Sequence, residues 1–477
     1  MDSLPIIDRL LKLNNDEITS FHVPGHKNGK IYNRFQHKNF KDIIYNLDTT
    51  EIPGTDNLHN PRDIIKESQD RASRIFKSEE TFFLVNGSTS GIYSMIMATT
   101  SPGDKVLIDR NCHQSVINAI ILGDLVPIYI YPNIDESQGI SMGVLSEDVE
   151  KKLVEHNDIK AVVLTYPTYY GIACDLKKIG EIVHKYDKIL LIDEAHGAHF
   201  GLNKNLPLTA LSCGADGVVQ STHKTLPSFT QSSMLHIQGS KIDREKLRLM
   251  LRIHQSSSPS YLLLSSLDFA VMIYETEGEA LMKDLLENIR NFREEVKKIN
   301  KIDIMGEEVV GKNGVYSIDP TRLWIKINGM PGYELESKLR DKFNIQMELS
   351  NSYGVLAVTS IANDERDFIK LLSALDSISK EEVLKDTELK TAKYEVPKQI
   401  VTPRQAFYMT KKKVLLKESM GQVSGEYIIP YPPGIPLIIP GERITSEVIE
   451  YIISMIDDGK EILGIKDASY KWIDVLK

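Results

Sequence analysis

Short apolar runs alternate with segments of helical periodicity over the first half of the chain. From about Ser78 to His236 the runs are four to six residues long and mostly rich in Val, Ile and Leu. The segments between them, such as DLKKIGEIVHKY, carry apolar residues at helical spacing. The runs are KVLID, PIYIY, AVVLTY, KILLID, GVVQS and SMLHI. This alternation predicts an α/β fold with a mostly parallel sheet covered by helices on both faces.

The pattern changes in the second half. A long helical stretch is predicted from about Leu262 to Asn300, followed by the strands RLWIKI, FNIQMEL and VLAVTS and a helix over DERDFIKLLSALDSIS, which together predict a smaller α/β domain. The charged stretch from Lys380 to Lys398 is interpreted as a linker, and Thr402 to Lys477 as a last segment. The predicted division is an N-terminal segment (1–60), a large ligand-binding domain (61–300), a small α/β domain (301–385) and a C-terminal domain (386–477).

Composition narrows the class of protein. The chain has 477 residues and a net charge of −9, which argues against a general nucleic-acid binder. Its three cysteines are far apart and form no CxxC motif, so a reducing cytoplasm is expected. The start, MDSLPIIDRLLKLNND, predicts a short amphipathic helix rather than a secretory signal, and the proline-rich stretch from Tyr427 to Pro440 is too short to cross a membrane.

Polar residues with catalytic potential follow the predicted strands, where ligands of open α/β sheets bind. Lys224, in STHK after GVVQ, suits a Schiff-base nucleophile, although a lysine at such a position is more often a solvated surface residue. Asp193 ends KILLID and could hold a positive charge on a ring nitrogen, or could simply cap the next helix.

Two further signals precede these in the chain. The NGSTSG loop from Asn86 to Gly91 opens a helix with small and hydroxyl residues, so its backbone N–H groups could hold a phosphate; the alternative is an ordinary capped loop. His113, in RNCHQSV after KVLID, could stack on a flat ring or be a structural histidine. Together the four signals require a flat, phosphate-bearing ligand with a protonatable ring nitrogen and an aldehyde. Pyridoxal 5′-phosphate meets all four requirements.

Two rival interpretations explain less of the sequence. DEAH after an apolar strand also occurs in helicases, but those need a GxxxxGK[ST] loop upstream, which this chain does not have. A metal site at Asp193, His196 and His199 would place its ligands around a helix and leave Lys224 and NGSTSG without a use, so no metal is expected.

At these residues the sequence resembles a known family. The similarity runs from about residue 20 to 460 and identifies the chain as similar to the Orn/Lys/Arg decarboxylases of fold type I, the aspartate-aminotransferase-like superfamily. It is greatest to short bacterial members that lack the wing domain of the larger enzymes. The motifs that carry it are FHVPGHK, GTDNLH, RNCHQS, PTYYG, DEAHGAHF, QSTHKTLPSFTQSSMLH, SSSPSY and PYPPGIPLIIPGE.

The resemblance implies a seven-stranded, mostly parallel sheet in the large domain. It also implies a homodimer or higher homo-oligomer, in which SSSPSY reaches the neighbouring subunit's phosphate. It also implies roles for individual residues. Lys224 would attach the cofactor, Ser88 and Thr89 would bind its phosphate with Ser221 and His223 beside it, His113 would stack on the ring, Asp193 would pair with the ring nitrogen, and His196 would lie close to the cofactor.

The activity that the resemblance implies is decarboxylation of a basic amino acid to an amine such as agmatine, cadaverine or putrescine, in polyamine biosynthesis. Arginine is preferred over lysine and ornithine in this prediction, and His223 is a candidate proton donor. The open alternatives are an aminotransferase, whose carboxylate-binding arginine would be Arg322 or Arg404, a C–S lyase, and a catalytically silent binding protein.

A basic substrate needs an acidic partner, because its distal cation loses hydration in a closed pocket. The carboxylates expected to provide that partner are Glu442, Asp56 and Glu426.

Overall fold

The computed structural model describes residues 4–15, 18–34, 40–135, 137–381, 397–431, 436–457 and 461–477. The helices are α1 (Pro5–Asn15), α2 (Phe40–Leu47), α3 (Ile64–Phe76), α4 (Gly87–Thr99), α5 (Gln114–Gly123), α6 (Ser146–Glu155), α7 (Leu176–Lys185), α8 (Thr222–Thr225), α9 (Arg244–His254), α10 (Tyr261–Thr276), α11 (Gly278–Val296), α12 (Gly332–Phe343), α13 (Glu365–Ser379), α14 (Pro403–Tyr408) and α15 (Ser446–Asp457).

The strands are numbered in the same order along the chain. They are β1 (Thr19–Phe21), β2 (Glu80–Leu84), β3 (Lys105–Asp109), β4 (Val126–Ile130), β5 (Ile134–Asp135), β6 (Ile140–Ser141), β7 (Ile159–Thr165), β8 (Ile172–Ala173), β9 (Ile189–Asp193), β10 (Gly217–Gln220), β11 (Ser233–Ile237), β12 (Ile302–Ile304), β13 (Ser317–Ile318), β14 (Arg322–Ile327), β15 (Ile345–Met347), β16 (Leu349–Ser350), β17 (Val355–Val358), β18 (Lys411–Leu415), β19 (Ile429–Tyr431), β20 (Glu461–Leu463) and β21 (Trp472–Leu476).

A seven-stranded sheet forms the centre of the large domain, in the order β2-β11-β10-β9-β7-β3-β4. The pairs from β10 to β4 are parallel, and β11 runs antiparallel to both of its neighbours. All six apolar runs form strands of this sheet, so the predicted mostly parallel α/β fold is confirmed.

Strand β9 shows why these runs are apolar throughout. Leu190 and Ile192 pack into the hydrophobic cluster on one face of the sheet, and Ile189 and Leu191 into the cluster on the other. Because successive side chains point to opposite faces and helices cover both, neither face tolerates polar residues.

Helix α7 illustrates the covering layer. The Asp175 side chain accepts a hydrogen bond from the backbone N–H of Lys178 and caps the helix, and Leu176, Ile179 and Val183 are buried on one face.

The smaller α/β domain contains a four-stranded antiparallel sheet in the order β12-β14-β17-β16, against which α12 packs. The single helical stretch predicted before it is instead two helices, α10 and α11, which meet at Glu277. The start of α11 lies against the chain near Leu202, where a Cβ on Gly278 would come within 2.5 Å of Leu202 Cδ2.

The C-terminal segment has its own hydrophobic cluster, which includes Ile428, Val448 and Ile473. It is built from α15 and two antiparallel strand pairs, β18 with β21 and β19 with β20. Most of the predicted linker, and part of the proline-rich motif, lie outside the described residues. The division at residues 60, 300 and 385 stays a prediction.

Two expectations from the sequence concern membrane-spanning helices and the helix at the start of the chain. No helix in the described part of the chain is long and apolar enough to cross a membrane. The predicted amphipathic helix at the start of the chain is present as α1.

Candidate active site

The predicted site residues follow strands of the central sheet whose carboxyl ends share one edge. Asp193 is the last residue of β9, and Ser221 directly follows β10 and precedes the short helix α8 that carries Lys224. Strand β2, which leads into the NGSTSG loop, runs in the same direction as β10, because both pair antiparallel with β11.

Lys224 lies in a partly enclosed cluster of polar and aromatic side chains. Its Nζ lies 2.9 Å from His196 Nε2 and 5.9 Å from the centroid of the Tyr169 ring. Burial lowers the pKa of Lys224, the charges of Asp193 and Glu348 oppose this, and that of Arg322 reinforces it. A lowered pKa leaves more of the amine uncharged, which is the form that attacks a carbonyl carbon.

Asp193 is nearly inaccessible, with 3% of its surface exposed. Its Oδ1 accepts a hydrogen bond from the backbone N–H of Ala195 at 3.2 Å. Burial raises the pKa of the carboxyl group, and the nearby charge of Lys224 lowers it. The carboxylate is therefore placed to hold a second positive charge close to Lys224.

A hydroxyl pair lies at the beginning of α4. Ser88 Oγ and Ser221 Oγ are 2.7 Å apart, and Thr89 lies beside Ser88 in the first turn of the helix. The turn into α4 requires a positive φ of 74° at Gly87, whose N–H donates to the carbonyl of Gln231. The first N–H groups of a helix attract anions, so this arrangement suits a phosphate group.

Two histidines flank the cluster. His113 caps α5, and its Nδ1 accepts a hydrogen bond from the Ser115 N–H at 3.2 Å, so the neutral ring carries its proton on Nε2. The Nδ1–H of His223 donates to the Ser232 carbonyl at 2.8 Å. Burial lowers the pKa of both imidazoles to about 4. Both rings are therefore uncharged near neutral pH.

Three residues of the cluster were not predicted as part of a decarboxylase site. Tyr169, from the PTYYG motif, packs its ring 4.4 Å from that of His196 and donates its hydroxyl proton to Glu348. Glu348 also accepts the Val23 N–H at 2.8 Å, and Arg322 donates to the His196 carbonyl at 3.1 Å. Glu348 and Arg322 come from the small domain, and no motif in the sequence links them to Lys224.

Glu442, expected to bind the substrate's distal cation, has a different partner within this chain. It is fully buried and forms a two-pronged ion pair with Arg110, with Nε–Oε1 at 3.0 Å and Nη2–Oε2 at 2.8 Å. Its Oε2 also accepts the Ile439 N–H at 2.9 Å. The Glu442 carboxylate therefore joins the C-terminal segment to the large domain through Arg110.

The other two substrate carboxylates also have internal roles. Asp56 accepts backbone N–H groups at the beginning of α3, including those of Asp63 at 2.8 Å and Ile65 at 3.1 Å. Glu426 accepts the N–H of Asp474 at 3.0 Å within the C-terminal domain. Neither makes a described contact with Lys224, His196 or Asp193, so the structure does not support their expected role within one chain.

Arg404 and Arg322, the two arginines considered for an aminotransferase, lie in different parts of the structure. Arg404 donates to the Ile121 carbonyl at 2.8 Å and pairs with Asp124, away from Lys224. Arg322 lies in the cluster but uses Nη2 on His196. Among the described residues, no three His, Cys, Asp or Glu side chains form a group that could hold a metal ion.

Comparison with known proteins gives consistent matches along the chain. Residues 4–367 match the Orn/Lys/Arg decarboxylase major-domain family, and residues 386–467 match the C-terminal domain of the same family. The arginine decarboxylase of Bacillus subtilis (strain 168) is 37% identical over 478 residues, covering 99% of this chain and 98% of that protein.

The solved structures that the fold resembles include lysine decarboxylases. That of Francisella novicida superposes with a TM-score of 0.79 at 23% identity, covering 100% of this chain and 84% of the other. The constitutive enzyme of E. coli gives a TM-score of 0.76 at 21% identity and covers 100% and 82% of the two chains. At these identities the structural likeness establishes the fold.

Proposed function

Because the chain belongs to the Orn/Lys/Arg decarboxylase family, we propose that it uses pyridoxal 5′-phosphate to decarboxylate a basic amino acid, with arginine preferred over lysine and ornithine. The observation that carries the proposal is the grouping of Lys224, His196 and Asp193 at the carboxyl edge of the sheet. A nucleophilic amine, an imidazole and a buried carboxylate are thereby placed together.

The residues around Lys224 fit this cofactor chemically. The hydroxyl group of Ser88 at the beginning of α4 and that of Ser221, which precedes α8, match a phosphate. The Asp193 carboxylate matches a protonated ring nitrogen, and the Lys224 amine matches an aldehyde. When bound, pyridoxal phosphate supplies an electron-withdrawing ring that accepts the electron pair left by the departing CO₂.

Each residue then has a physical task. Asp193, as a carboxylate in a poorly hydrated position, stabilises positive charge on the ring more strongly than it could in water. The uncharged amine of Lys224 would be the group that attaches the cofactor through its aldehyde. Ser88, Thr89 and Ser221 would bind its phosphate group.

Arginine is proposed as the preferred substrate because relatives named arginine decarboxylase are 33–37% identical to this chain, whereas the inducible lysine decarboxylase of Escherichia coli (strain K12) is 23% identical. Transamination requires an arginine fork on the substrate carboxylate. Arg404 is engaged by the Ile121 carbonyl, whereas Arg322 uses only Nη2 on His196, so Arg322 is the arginine that this alternative would need.

A homodimer is part of the proposal. Helix α1 exposes Ile6, Ile7, Leu10 and Leu11, each by more than half of its surface, on a helix that a second copy of the chain would cover. Sedimentation of the purified protein should give twice the mass of 53.9 kDa, and a monomer at micromolar concentration would contradict this assembly.

The substrate class is tested by a panel. The purified chain, supplied with pyridoxal phosphate, is incubated with arginine, lysine, ornithine, glutamate or leucine, and kcat/KM is measured from CO₂ release. The basic amino acids should react, with arginine first. Faster turnover of glutamate or leucine would refute the proposed substrate class. A higher kcat/KM for lysine than for arginine would overturn only the ranking of the basic substrates.

A further inference from the structure

Arg322 is a buried arginine whose hydrogen bonds point towards the attachment lysine. It begins strand β14 and has no accessible surface. Its Nη2 lies 3.1 Å from the carbonyl oxygen of His196 and 3.4 Å from His196 Nδ1. Its nearest carboxylate is that of Asp319, at 4.0 Å from Nε, which is beyond hydrogen-bond distance. The hydrogen bonds of the guanidinium therefore go to His196, and Asp319 is its ion-pair partner.

This contact determines where His196 carries its proton. A guanidinium group only donates hydrogen bonds, so a hydrogen bond between Nη2 and Nδ1 requires Nδ1 to accept. A neutral imidazole has one N–H, which must then be on Nε2. A second proton on Nδ1 would face the Arg322 cation directly, so Arg322 adds to burial and to the charge of Lys224 in disfavouring the doubly protonated ring.

The other ring nitrogen faces Lys224. His196 Nε2 and Lys224 Nζ are 2.9 Å apart, and an Nε2–H in that position donates a hydrogen bond to the lysine nitrogen. An ammonium group has no lone pair with which to accept it, whereas an uncharged amine has one. The contact of Arg322 with His196 and that of His196 with Lys224 thus link the positive charge of Arg322 to the charge state of Lys224.

We propose that Arg322 is a positioning residue that orients the His196 proton onto Nε2 and thereby holds Lys224 as an uncharged nucleophile. The inference rests on the proposed function only in taking Lys224 as the lysine that attaches the cofactor. Because Arg322 is contributed by the small domain, the domain contact itself sets the reactivity of a lysine in the large domain.

The groups near Lys224 act on its charge in opposite directions. Burial, the largest influence, and the charge of Arg322 disfavour the charged form of Lys224, whereas Asp193 and Glu348 favour it. The neighbouring imidazoles of His196, His113 and His223 all have lowered pKa values, chiefly through burial, and contribute no counter-charge at neutral pH. Arg322, itself paired with the buried Asp319 at 4.0 Å, is the permanent positive charge that opposes these two carboxylates at Lys224.

A test without substrate measures the amine directly. The full-length chain, freed of cofactor by dialysis, is labelled with limiting acetic anhydride at a series of pH values, and modification of the peptide containing Lys224 is quantified by mass spectrometry. In the wild type, the labelling midpoint of Lys224 should lie well below those of exposed lysines in the same digest. A midpoint equal to theirs would overturn the proposal even if every variant failed to fold.

Variants separate this role from a structural one. Arg322→Met should raise the Lys224 midpoint by about one pH unit, which lowers the reactive fraction about tenfold at a fixed lower pH. Arg322→Lys keeps a donor-only cation and should restore most of the difference. Arg293→Met is the matched control, because Arg293 is a partly buried arginine that donates to the Met305 carbonyl at 3.0 Å in the small domain.

The outcomes are distinct. A folded Arg322→Met protein, judged by circular dichroism, whose midpoint matches the wild type would overturn the proposal, as would an equal shift in Arg293→Met. A chain that shows the expected midpoints but releases no CO₂ from any amino acid would refute the proposed function and leave the role of Arg322 in place.

Discussion

Replacing Glu442 by glutamine tests whether this carboxylate is structural or binds substrate. The amide has the same shape but offers one acceptor where Arg110 needs two, so one guanidinium N–H faces another donor. The Arg110 cation, with 6% of its side chain exposed, then loses its counter-charge in a dry environment, although it keeps carbonyl contacts such as that with Pro436 at 2.7 Å and its position over the Tyr129 ring.

The expected loss of stability follows from the burial of Arg110. Breaking a buried pair from one side costs about 3–5 kcal/mol, and the remaining contacts of Arg110 place the expected loss near the lower end, about 3 kcal/mol. This corresponds to roughly a hundredfold decrease in the ratio of folded to unfolded C-terminal domain. Replacing both Arg110 and Glu442 by methionine should recover most of the loss, because a well-packed apolar pair removes both desolvation costs.

The assay is urea unfolding followed by circular dichroism and by tryptophan fluorescence, since Trp472 lies on β21 of the C-terminal domain. Glu418→Gln is the control, an exposed glutamate of the same domain, and should change stability by less than about 0.5 kcal/mol. The KM for arginine should stay within about twofold in folded Glu442→Gln protein. Unchanged stability combined with a KM raised tenfold or more would refute the structural role and restore substrate binding.

Three further predictions concern the site and the core. Lys224→Ala should abolish the lysine adduct trapped by borohydride with pyridoxal phosphate and lower turnover by several orders of magnitude, whereas Lys246→Ala should not; an adduct mapped to another lysine would disprove the assignment. Asp193→Asn should leave the chain folded but lower kcat at least tenfold, since a loss of about 1.4 kcal/mol in the transition state is tenfold in rate; near-wild-type activity would contradict its role. Burial lowers the pKa of His236 to about 3, so the unfolded chain takes up a proton before the folded one as pH falls below about 6.5. Unfolding free energy should therefore decrease between pH 7 and 4, and His236→Asn should lose less over that range; an equal loss in both proteins would refute this.

The strands of the central sheet were predictable because their burial is nearly complete. Runs such as KILLID contain no polar residue between their ends, since both faces of β9 pack into hydrophobic clusters. The break between α10 and α11 was not predictable in the same way. It depends on close packing of Gly278 against Leu202, a contact between residues far apart in sequence.

The difference between local sequence patterns and contacts distant in sequence also explains which site residues could be predicted. Lys224, Asp193, His113 and Ser88 could be proposed because each follows an apolar run, and the carboxyl ends of such strands meet at one edge. Glu348 and Arg322 belong to another domain, and only the docking of the two domains brings them to Lys224. The ion pair of Glu442 was missed for a related reason, because its sequence context contains no sign of a buried partner at Arg110.

The reaction class is tested most directly with arginine carrying a labelled carboxyl carbon. The purified chain with pyridoxal phosphate should release the label as CO₂ in a one-to-one ratio with the amine that appears, and no keto acid should accumulate. Formation of the keto acid with the label retained would contradict decarboxylation and establish transamination in its place.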